Sequence, residues 1–132
     1  MIFGLHDPLD YEAEKIKDTD IQICSPLQVK MGSQPILDWI KKENIKRLAI
    51  HIDLDVLDEA FFHSLYFSRP DVEKKTFDSI AQGKLNISDI IAITNLVEKE
   101  TDIVGLTIAE YLPWDAINLK KMLQKLPLIG EK

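Results

Sequence analysis

The chain has 132 residues, 45% of them apolar, with 22 acidic against 16 basic side chains and a formal net charge of −6. That length and apolar content fit one globular domain over residues 1–132 and exclude an intrinsically disordered chain. Lys and Arg are scattered with no basic stripe, which argues against a nucleic-acid partner, and no apolar run approaches the ~20 residues a membrane-spanning helix needs.

The predicted elements alternate between strands and helices. Ile2 to Leu5 is a short apolar strand. Asp7-Pro8 then opens a charged helix over Leu9 to Lys17, with Asp7 as N-cap and proline in the first turn. Ile21 to Cys24 is a second strand; Cys24, the only cysteine, lies in an apolar run and reads as a buried residue rather than a nucleophile. With one cysteine no internal disulfide forms, and Met1 to Asp7 lacks the basic segment and long apolar stretch of a signal peptide. Both fit a cytoplasmic location.

Ser33-Gln34-Pro35 opens the next helix, with Ile36, Leu37, Trp39 and Ile40 on its apolar face and an end near Asn44. Arg47 to Ile52 is the third strand. The aromatic stretch from Glu59 to Phe67 has no clean period and is expected as a short helix or packed loop. Arg69 to Lys84 reads as a surface excursion. Ser88 is the expected N-cap of a helix in which Ile90, Ile91, Ile93, Thr94 and Val97 follow the 3.6-residue period. Asp102 to Ala109 is the last strand. Asp115 caps a closing helix to Leu126, with Ile117, Leu119, Met122, Leu123 and Leu126 inward. Trp39 and Trp114 read as packing residues at element ends. This order is that of an α/β fold, a three-layer αβα arrangement around a mainly parallel sheet.

The chemistry concentrates where the third strand ends, in His51-Ile52-Asp53-Leu54-Asp55-Val56-Leu57-Asp58. Residues two apart on a strand share a face, so Asp53 and Asp55 point the same way at a strand's carboxyl end, where open α/β sheets bind ligands. Carboxylates held that close repel unless a proton or a cation sits between them, and a hard divalent ion such as Mn2+ or Mg2+ suits oxygen ligands. The plainer reading is a pair of solvated acids. Asp58 reads as a loop cap or structural hydrogen-bonder, and His51 as a satisfied, semi-buried histidine rather than a ligand.

Together with Gly105-Leu106-Thr107-Ile108-Ala109-Glu110-Tyr111-Leu112-Pro113-Trp114-Asp115, this stretch resembles the C-terminal half of the arginase/agmatinase/formiminoglutamase (ureohydrolase) superfamily. Members carry Asp-x-Asp-x-x-Asp-Pro at one strand end and, downstream, a strand ending in Glu followed closely by Pro and Asp. Ile2-Phe3-Gly4-Leu5-His6-Asp7 resembles the family's apolar-Gly-apolar-Arg-Asp strand end. The resemblance covers nearly the whole chain. It implies that Asp53 and Asp55 are metal ligands of a two-ion Mn2+ cluster, that Glu110 is substrate-binding, and that the substrate is a small guanidino or amidino compound hydrolysed at a C–N bond.

The family's other metal motifs, Gly-Gly-x-His and Asp-x-His-x-Asp, are not in this sequence, and His6, His51 and His63 lack that context. Glu59 stands where the family has Pro, and Phe61-Phe62-His63-Ser64-Leu65-Tyr66 stands in place of its Gly- and Thr-rich substrate loop. The chain therefore reads as truncated, with no complete catalytic set, and is expected to be inactive alone. A non-catalytic structural or binding module stays open as an alternative. So does a haloacid-dehalogenase-type phosphatase, although that motif lies near the chain start and continues with Gly-Thr. Self-association is expected through unpaired strand edges, at Ile2 to Leu5 and Ile103 to Ile108.

Overall fold

The computed structural model describes residues 1–77 and 80–130. Strand β1 (Ile2–Phe3) leads through helix α1 (Asp10–Lys17) to β2 (Ile23–Cys24); α2 (Pro26–Met31) and α3 (Gln34–Lys42) lead to β3 (Arg47–Asp53); α4 (Ile87–Glu100) leads to β4 (Asp102–Ala109), and α5 (Ala116–Leu123) follows. Among the described residues both ladders are parallel, as strand–helix–strand connections favour. The architecture is α/β, of the αβα kind. Among the described residues the strands form two separate pairs, β1 with β2 and β3 with β4, rather than one four-stranded sheet.

The longer pair aligns Arg47 with Asp102 and Asp53 with Ala109, with one irregularity at Leu48/Ala49. Along β3 the side chains alternate: Leu48, Ile50 and Ile52 turn inward, Ile52 to only 5% exposure, while Arg47, Ala49 and His51 face solvent. The inward residues join the core formed by Ile36 and Ile40 of α3 and Ile90, Ile93 and Val97 of α4. α3 begins at Ser33 with a proline in its first turn, as its sequence predicts. It ends because Asn44 adopts φ 50°: the Asn44 N–H donates to the Lys41 carbonyl and the Ile45 N–H to the Ile40 carbonyl, a Schellman ending in which Asn stands in for Gly.

Several boundaries differ from expectation, each for a local reason. The first helix starts at Asp10, not after Asp7, because Asp7 sits at φ 40° and its carboxylate pairs with Lys84; Glu12 instead accepts from the Leu9 N–H. The segment after Cys24, not assigned to a helix, forms α2, started by the Ser25 hydroxyl accepting from the Gln28 N–H. α4 is capped by Asn86 rather than Ser88, with the Asp89 carboxylate accepting from the Asn86 N–H at 2.8 Å. Ile117 is 72% exposed, so only Met122 and Leu126 of the closing segment are deeply buried. The stretch after Asp58 is a packed loop that buries Phe62 and Leu65 completely. The excursion from Arg69 to Lys84 is anchored by Phe77, which packs edge to face on Tyr66 and Phe67 of the preceding stretch with centroids 5.2 and 6.1 Å away. Its residues 78 and 79 lie outside the described residues.

Candidate functional site

The acids meet at the carboxyl ends of β3 and β4. β3 stops at Asp53, whose carboxylate accepts a long 3.4 Å hydrogen bond from the Asp55 N–H and so caps the single 3-10 turn Leu54–Val56. Asp55 is therefore on that turn and not on the strand itself. Leu54 and Leu57 on either side are fully buried and fix the turn against the core. β4 pairs in register through Ala109, so Glu110 leaves the adjacent strand end beside Asp53. Glu110 adopts φ 62°, a left-handed conformation that costs a non-glycine residue about 1 kcal/mol. Such strain persists only where the surroundings impose it, and it collects at functional sites.

Asp55 shows the electrostatic consequence. Burial, then the neighbouring Asp53 charge, then Glu110 push its carboxyl from 3.8 up to about 6, and the His6 imidazole pulls the other way. His6 is the residue that sequence reasoning passed over: it follows β1, far away in sequence, and only the fold brings it to this cluster. The signal was the apolar-Gly-apolar-His-Asp strand end, in which Gly4 allows close approach. Gly4 adopts φ 77°, and a Cβ there would lie 2.5 Å from Val56 Cγ2. Lys84 reaches across to Asp7 at the same rim and holds its carboxyl below the ordinary value.

The remaining candidates are structural. The Asp58 carboxylate accepts from the Ala60 N–H at 2.8 Å. His51 is satisfied, with Nδ1 2.7 Å from Thr107 Oγ1 across the β3–β4 ladder, but it is exposed rather than semi-buried. Asp115 caps α5 and also accepts from the His63 N–H, while its own N–H donates to the buried Ser64 hydroxyl at 2.9 Å. Burial pushes the Asp115 carboxyl up, but the hydrogen bonds from Asn118 and His63 outweigh it and leave it below 3.8. This clamp, unread in the sequence, fastens the aromatic loop to the segment that carries Glu110. Trp39 packs on the core, and Cys24 is 1% exposed, with its thiol pushed up by burial.

No protein-family model matches the sequence, and no curated protein matches it. Among solved structures, the fold is similar to an arginase from Entamoeba histolytica, whose structure is a complex with L-ornithine. The TM-score is 0.65 at 18% identity, over 92% of this chain. The fold is arginase-like. The chain spans 40% of the length of that arginase.

The donor set does not fit a metal cluster by itself. Among the described residues no group of three or more His, Cys, Asp and Glu side chains is arranged to hold an ion. Asp53 and Asp55 bring two carboxylates, whereas an ion held by protein takes three or more groups. Among the described residues no helix is long and apolar enough to cross a membrane.

Proposed function

We propose that this chain is the C-terminal portion of an arginase-like, Mn2+-dependent hydrolase of guanidino or amidino C–N bonds, inactive when residues 1–132 stand alone. In this reading Asp53 and Asp55 supply part of the metal site, and Glu110 faces the planar, paired N–H donors of the substrate, which a carboxylate accepts well. The missing ligands come from outside these residues. The observation that carries the reading is the convergence of Asp53, Asp55 and Glu110 at two adjacent strand ends of an arginase-like fold, with Asp55 raised to about 6. Like charges assembled at a cost to the fold make sense where a cation or cationic substrate relieves them.

Mn2+ binding, followed by loss of the free-ion electron paramagnetic resonance signal, tests the metal role. The expected result is weak binding only, because two carboxylates are fewer than a protein-held ion takes, weakened further in Asp53→Asn. Binding unchanged in Asp53→Asn would refute it. Incubation with arginine or agmatine and Mn2+ is expected to release no urea; urea release by the purified chain, lost in Asp53→Asn, would overturn the claim that it is inactive alone.

A further inference from the structure

The segment from Glu110 to Asp115 joins the end of β4 to α5, and its backbone is pinned at both ends. At the near end Ala109 stands in register with Asp53. At the far end the Leu112 N–H donates to the Ser64 carbonyl at 3.1 Å, and the Asp115 N–H donates to the Ser64 hydroxyl at 2.9 Å. Ser64 thus receives both bonds. Packing fixes Ser64 in turn: it is fully buried, and Phe62 and Leu65 beside it in the chain are each 1% exposed.

Little freedom is left between those ends. Pro113 has a fixed φ, and the Trp114 N–H donates to the Leu112 carbonyl at 2.9 Å, so the stretch from Leu112 to Asp115 is a bonded turn. The change of direction between Ala109 and Leu112 falls on Glu110 and Tyr111. Glu110 takes it, at φ 62°. The Tyr111 side chain is 43% exposed, so tight packing of its ring does not impose that conformation. A non-glycine residue leaves the left-handed region unless its surroundings hold it there. The buried hydroxyl at the far end of the segment is the group placed to do so.

We propose that Ser64 is a positioning residue for Glu110: by accepting the Asp115 N–H, its hydroxyl holds Glu110 in the left-handed conformation and sets the direction of the Glu110 side chain beside Asp53. The inference rests on the proposed role of Glu110 toward the substrate. Backbone dihedrals at Glu110 fix where its Cβ points, and a carboxylate accepts planar, paired N–H donors well only when it is aimed at them. Without the hydroxyl the part-buried Asp115 N–H loses its acceptor, which costs more than the bond itself, and the turn opens to find another. Glu110 then returns to an ordinary negative φ and its side chain swings away from the strand end.

The test reads the backbone at position 110 through thermal melts of the whole chain. Glu110→Gly and Glu110→Ala both remove the charge, but only glycine is at ease at positive φ, so their difference in melting temperature reports that conformation. In the parent background the glycine variant is expected to melt about 2–5 °C above the alanine variant. In the Ser64→Ala background this difference is expected to fall by at least half or to reverse, because a released position favours alanine over glycine. A residue that merely stabilises the loop lowers both melts equally and leaves the difference intact. A smaller fall than half, or no excess for glycine in the parent background, overturns the proposal. Ser64→Cys, close in shape but with a weak sulfur acceptor, is read in the same way where Ser64→Ala does not fold. No metal or substrate enters this measurement. An unchanged difference therefore sinks the positioning role alone, whereas Mn2+ binding unaltered by Asp53→Asn sinks the site reading alone.

Discussion

Asp55→Asn is expected to stabilise the protein at neutral pH. The Asp55 carboxyl stands at about 6 in the folded chain against 3.8 for an ordinary aspartate, a difference of roughly two pH units. At 1.36 kcal/mol per unit this amounts to about 3 kcal/mol of resistance to ionisation in the fold. Asp55 is only half-buried, so solvent screening reduces this to about 1–2 kcal/mol. The sign follows from proton binding. Between pH 3.8 and about 6 the folded chain holds a proton that the unfolded chain has lost, so stability falls as pH rises through this window. The cost is fully present above about 6 and absent below 3.8. Asn keeps the shape and hydrogen-bonding capacity and removes the charge. Thermal melts at pH 7.5 should place Asp55→Asn roughly 3–8 °C above the parent, and the gap should close as pH falls toward 4. A gap that is absent at pH 7.5, reversed in sign, or constant with pH would refute the argument that Asp55 pays electrostatically for its place.

Gly83→Ala should strain the same turn from behind. A Cβ there would lie 2.2 Å from the Asp55 carbonyl oxygen and 2.3–2.4 Å from the Val56 carbonyl group; backbone must move, and urea titration should show a loss of at least about 2 kcal/mol. Asp115→Ala removes the α5 cap together with the hydrogen bonds to His63 and Asn118, at an expected cost of about 1–2 kcal/mol by the same titration. The parent's contribution from this group should be fully present above pH 3.8 and fade as pH falls below it, because the folded carboxyl is held low; a cost in Asp115→Ala that persists unchanged at pH 2 would contradict this. Among the described residues β4 pairs only with β3, and its other edge, near the 56% exposed Val104, has no proline or inward charge to protect it. Light scattering at micromolar concentration should show dimers or larger species that Val104→Lys reduces.

The sequence alone determined the elements with strong local signals. β3 and β4 read from continuous β-prone runs; α3 from Ser33, Pro35 and its apolar period; the caps at Asp58 and Asp115 from residue type before a turn or helix. The placement of Asp53 and Glu110 at neighbouring strand ends was legible because each follows an apolar strand of a parallel sheet, whereas their roles came only from the family resemblance. What the sequence left undecided depends on contacts between distant residues. His6 comes near enough to act on the Asp55 charge, and Lys84 pairs with Asp7, because the fold brings the end of β1 against Val56, and no local period encodes that approach. The separation of the strands into two pairs was equally invisible, since the apolar pattern states which faces are buried but not which edges meet. Asp55's raised carboxyl has the same origin: desolvation and like charge are sums over neighbours, and only the folded chain assembles those neighbours.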